Sequence, residues 1–172
     1  MSSMSQMQMH YFEEEDRFLL RMNTITEEEY RFWLTRRFIQ IFYPLLNTAL
    51  YSDPEIKRQV DPVNKDAILS FQQQNAKNQV EYGSTFSTTP KTYPLGEMPL
   101  LISKASIKSN ADNGYDLRLS TADDRGLYFS LDQNLLHILT TLILDSLPIA
   151  DWQLVLKEDN DMHLPERSTL LN

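Results

Sequence analysis

The chain contains no cysteine, which removes a disulfide framework, a thiolate metal site and a cysteine nucleophile together. Its four glycines, Gly83, Gly96, Gly114 and Gly126, are widely spaced. Dinucleotide- and phosphate-binding loops need clustered glycines so that backbone can approach phosphate, so those enzyme classes are excluded. No serine stands in a G-x-S-x-G elbow, the local signature of many serine hydrolases. The three histidines, His10, His137 and His163, form no H-x-x-x-H pair. No cofactor and no metal is therefore expected, and no catalytic residue can be named.

Long hydrophobic runs are missing as well. Phe38 to Leu46 is interrupted by Gln40 and Pro44, and Leu135 to Leu147 by His137, Thr140, Thr141 and Asp145. Both fall short of the roughly 20 apolar residues that span a bilayer, so no membrane association is expected. The first sixteen residues, MSSMSQMQMHYFEEED, have neither a basic start nor an apolar stretch, which is the wrong pattern for a secretion signal. They read as a disordered leader, and the cytoplasm is the expected compartment.

What is present is a folding composition: 172 residues, 41% apolar and 23% charged, suited to one core. A single domain over residues 17–157 is expected, followed by a flexible tail over 158–172. The net charge is −8, with seven acids against two bases in residues 1–30, five against seven in 31–90 and twelve against seven in 91–172. Such a surface repels phosphate backbones, which disfavours nucleic acid as a partner.

Arg17 to Met22 reads as a short strand. Thr26, followed three residues later by Glu29, has the pattern of a capping box, with Ile25 placed to staple against Tyr30. A helix is thus predicted over 26–50, its apolar stripe running through Tyr30, Trp33, Leu34, Phe38, Ile41, Phe42, Leu45, Leu46 and Ala49, with Pro44 expected to kink it. Asp61 and Pro62 read as N-cap and first helical residue of a second, amide-rich helix to about Tyr82. Residues 83–98 have no periodicity and read as a long loop. From Pro99 the period changes to two. Turns at Asn110–Gly114 and Ala122–Gly126 separate alternating strands, and Asp132 caps a final helix carrying Leu135, Leu139, Leu142 and Ile143. The acidic turn at 110–116 fails as a calcium loop, since Ser120 stands where a bidentate glutamate is required.

The predicted fold class is α+β, an antiparallel meander of three to four strands with helices on one face, in the order β-α-α-β-β-β-α. Phe32, Ile39, Tyr43 and Leu50 lie off the centre of the long helix's stripe, giving an apolar surface too wide for one neighbour. With Arg36 they form a candidate interface for a protein partner or a second copy of the chain. The expectation for function is a non-enzymatic interaction or assembly module. The alternative is a ligand-binding protein or enzyme with a pocket between sheet and helices, lined by Trp33, Arg37, Tyr93 and His137 and gated by the 83–98 loop.

Overall fold

Period-two sequence becomes strand throughout the chain, including its amino-terminal part. The structure is a computed structural model describing residues 2–82, 86 and 92–154. It holds seven strands: β1 (Ser2–Phe12), β2 (Arg17–Thr24), β3 (Glu29–Thr35), β4 (Leu100–Leu101), β5 (Lys104–Ser109), β6 (Tyr115–Ser120) and β7 (Gly126–Leu131). Four helices accompany them: α1 (Arg36–Tyr51), the short α2 (Pro54–Lys57), α3 (Pro62–Tyr82) and α4 (Gln133–Ser146). The fold is α+β, and the predicted three-stranded antiparallel meander is present as β5-β6-β7.

Its turns follow the expected chemistry. Asn110 Oδ1 accepts from the Asp112 and Gly114 amides at 3.1 and 2.9 Å, and Thr121 Oγ1 accepts from the Arg125 amide at 3.1 Å. At Gly126 the cross-strand backbone comes so close that an added Cβ would lie 2.0 Å from the Leu119 carbonyl oxygen. Asp132 caps α4 through the Leu135 amide at 2.7 Å, and Asp61 receives the Val63 amide at 2.9 Å at the start of α3.

Two expectations are corrected. Residues 2–12 are not a disordered leader but β1, paired antiparallel with β2 from Met4 to Phe12. Met7, Met9 and Tyr11 oppose Met22, Leu20 and Phe18 and pack against the core, so the strand is held by burial along one face. Likewise Glu29–Thr35 is not helix but β3, with Tyr30, Phe32 and Leu34 buried at alternate positions against β2. Thr24, Glu27 and Glu28 close the β2–β3 turn instead of opening a helix, with the Thr24 amide donating to the Glu28 carbonyl at 3.0 Å and Glu27 in the left-handed region at φ 59°. The helix begins ten residues later, where Thr35 Oγ1 accepts from the Phe38 amide at 3.2 Å.

The strand order is β4-β3-β2-β1-β7-β6-β5. A four-stranded mixed sheet (β4-β3-β2-β1) meets the three-stranded one where Ser2 and Ser3 pair in parallel with Phe129 and Ser130. The opposite edges also meet. Only Ile102 and Ser103 separate β4 from β5, and the Ile102 amide donates to the Trp33 carbonyl while the Ser103 amide donates to that of Ser120, each at 3.0 Å. One segment therefore serves both edges, and the sheet curls back on itself.

Helices α1 and α4 pack on the inner face, α1 against β3 and β5 and α4 against β1 and β7, and they also touch each other. Phe38, Ile39, Phe42, Tyr43, Leu46, Ala49 and Leu50 of α1 join Leu136, Leu139 and Ile143 of α4 in one core with Phe18, Leu20, Phe32, Leu117, Leu119 and Phe129. Among the described residues no helix is long and apolar enough to cross a membrane.

Candidate functional site

The breadth of the α1 apolar surface has an internal explanation. Ile39, Tyr43 and Leu50 are buried, because α1 faces sheet strands and α4 at once, and Phe32 is a buried β3 residue rather than part of a helix. Of the candidate interface only Arg36 is exposed. These residues are core in this chain.

The candidate pocket residues do not converge. Trp33 lies on the outer side of β3, its ring meeting Phe12 edge-on at 5.1 Å with the Arg17 guanidinium 5.0 Å above it. Tyr93 stands beside Arg31, which lies 4.5 Å over its ring and donates to its hydroxyl at 3.1 Å. Arg37 is exposed in the first turn of α1. His137 is on the helical side, 1% exposed. A groove of about 280 Å³ does separate α3 from α4, but it is lined by Ser70, Gln73, Gln74, Lys77, Thr141, Leu144 and Asp145 and bridged by the Lys77–Asp145 ion pair at 3.3 Å. Half of the proposed gate, residues 83–85 and 87–91, lies outside the described residues; of the rest, Phe86 has the Arg21 guanidinium 4.5 Å over its ring.

His137 is the buried end of a polar chain that reaches the surface. The Gln72 amide nitrogen sits 3.4 Å from carboxylate oxygens of Asp53 and Glu55, so its oxygen faces His137 Nε2 at 3.1 Å. His137 must then carry its proton on Nε2. That leaves Nδ1 a buried acceptor that no donor reaches among the described residues. Burial pushes the imidazole down to about 4, opposed only in part by the Asp53 charge. A group so desolvated and so enclosed is placed to hold α3 and α4 together.

The arrangement with chemistry to offer is the outer face of the four-stranded sheet, which the sequence reading missed. Register puts Phe12, Arg17 and Thr35 in one row across β1, β2 and β3. His10, Leu19, Trp33 and Leu101 form the next, spanning all four strands, and Gln8, Arg21 and Arg31 the third. Phe12 is 39% exposed and Leu101 48%. Beneath the arginines Glu29, 2% exposed in its side chain, accepts from Arg21 Nε and Nη2 at 2.8 and 3.1 Å and from Arg31 Nε at 2.7 Å. Burial alone would raise the Glu29 carboxyl, but the bonds and charges of both guanidiniums outweigh it and hold it below the usual range. Arg31 also donates to the Glu97 carbonyl at 3.1 Å, and Arg17 pairs with Glu15.

The end of the described chain is tied to the same sheet. Asp16, in the left-handed region at φ 49°, accepts from Trp152 Nε1 at 2.6 Å and from the Tyr11 hydroxyl at 2.8 Å. Those two bonds lower its carboxyl pKa. Among the described residues no group of three or more His, Asp or Glu could hold a metal ion. No protein-family model, no characterised protein and no solved structure matches the chain.

Proposed function

We propose that this chain is a non-enzymatic protein–protein interaction module that docks its partner on the outer face of the four-stranded sheet. The observation that carries the reading is the row His10, Leu19, Trp33 and Leu101 across four adjacent strands, with Phe12 beside it and the helices on the opposite side. A sheet face that is meant only for water alternates polar residues outward. This one instead offers aromatic and aliphatic side chains within an arginine frame, the composition that interfaces favour.

Phe12→Lys and Leu101→Lys test it, because both side chains are partly exposed and their replacement leaves the core intact. In co-purification from the native host, each variant loses a stoichiometric partner that the parent retains. Val63→Lys, on the exposed side of α3, keeps it. A partner retained by both sheet variants, or lost only with Val63→Lys, refutes the reading.

A further inference from the structure

Independently of the docking face, we propose that the open edge of β1 pairs with the same edge of a second copy of the chain, antiparallel about a two-fold axis at Met9. β2 lies along β1 from Met4 to Phe12, whereas β7 meets it only at Ser2 and Ser3. Ser3 faces Ser130, and β7 ends one residue later at Leu131, before the chain turns into α4. From Met7 to Phe12, no backbone group among the described residues bonds to the side of β1 turned away from β2. That leaves roughly 20 Å of strand edge on which the N–H and C=O of alternate residues are unpaired.

The side chains along this edge are covered only in part. Met22, Leu20 and Phe18 of β2 are fully buried, but Met7, Met9 and Tyr11 opposite them keep partial exposure. Exposed strand edges are ordinarily guarded by lysine, proline, an inward charge or a bulge. Residues 7–12 hold none of these, and the one irregularity of β1 falls earlier, between Met4 and Gln6.

Only another extended backbone completes such an edge, and the pattern of β1 fits its own copy. Directly opposed residues of an antiparallel pair share a face. With Met9 on the axis, Met9 meets the partner's Met9 and Met7 meets the partner's Tyr11 on the inner side, where thioether and ring pack favourably. On the outer side Gln8 meets the partner's His10, so no opposed pair sets like charges together. The exposed acids Glu13, Glu14 and Glu15 select the antiparallel direction. In it the two copies of Glu13 stand eight residues apart along the strands, roughly 26 Å and well beyond the screening length, whereas parallel pairing sets the acidic clusters side by side. Such a two-fold contact also consumes both open edges at once and leaves no end for a filament to grow from.

The test is sedimentation equilibrium of the full chain, which should show a monomer–dimer equilibrium. Gln8→Glu combined with His10→Glu opposes acids at both Gln8–His10 contacts and should raise the dissociation constant roughly tenfold. Gln8→Glu combined with His10→Lys opposes unlike charges and should restore the dimer. Both variants change only exposed, outward side chains. Because the chain has no cysteine, Met9→Cys should give a covalent dimer under mild oxidation, and Val63→Cys should not. A strict monomer, a dimer indifferent to both double variants, or a Met9→Cys chain that stays single under oxidation overturns the proposal. So does a Met9→Cys disulfide formed in the host with a different protein instead of with itself. A dimer dissociated by Leu101→Lys puts the second copy on the docking face and overturns the edge pairing alone.

Discussion

His137 makes the acid stability of this protein calculable. The native imidazole is buried, donates from Nε2 to Gln72 and has no partner at Nδ1 among the described residues, so a second proton would bring into the α3–α4 contact a charge that Asp53 offsets only in part. Its folded pKa of about 4 lies below the ordinary 6.5. Because the folded value is the lower one, the unfolded chain takes up the proton first. The contribution is complete above pH 6.5 and is lost as pH falls from about 6.5 toward 4. With 1.36 kcal/mol per pKa unit, the loss is about 2 kcal/mol between pH 7.5 and 5 and about 3 kcal/mol by pH 4. Carboxylates titrate in part of the same window, so the assay is a difference. Urea unfolding of the parent and of His137→Gln is followed at half-unit steps from pH 7.5 to 4.5. The parent should lose about 2 kcal/mol more than the variant by pH 5. Parallel curves for the two proteins would refute the account of His137 as a buried neutral base.

Three further outcomes follow from the packing. Glu29→Ala leaves Arg21 and Arg31 facing each other without their shared carboxylate; allowing for the partial exposure of both arginines, thermal or urea unfolding should show a loss of about 2–3 kcal/mol. Thr35→Ala removes the side-chain cap of α1 and should cost about 1 kcal/mol in the same measurement. Gly126→Ala drives a methyl group into the Leu119 carbonyl and the Ser120 Cα, so the β6–β7 pairing must shift. A loss of about 2 kcal/mol or more is expected by chemical denaturation, and amide exchange should quicken in β6 and β7.

The second half of the fold was legible because its signals are local. Asn110, Thr121 and Asp132 satisfy backbone groups within four residues of themselves, and β5, β6 and β7 pair with their sequence neighbours. The first half was misread because its decisive partners are distant. Thr26 and Glu29 do spell a capping box, but Glu29 is claimed by Arg21 across a hairpin and by Arg31 two residues along its own strand. Tyr30 and Leu34 fit a helix stripe as well as a strand face until β2 is known to lie beside them. Met7, Met9 and Tyr11 alternate with Gln8 and His10, yet methionine and glutamine carry little strand preference, so only burial against β2 gives the pattern its meaning. The outer face could not be found while β3 was taken for helix. Arg17, Leu19 and Arg21 were visible as alternating residues, but the row through Trp33 and Leu101 exists only once the register of four strands is fixed.

The most direct test of the docking face is photo-crosslinking in the living host, with a benzophenone-bearing residue at position 101 and, as the comparison, at position 63 on α3. Docking on the sheet predicts a discrete crosslinked band with a second protein from position 101, abolished by Phe12→Lys, and none from position 63. A band from position 63 alone, or one from position 101 that survives Phe12→Lys, would contradict it.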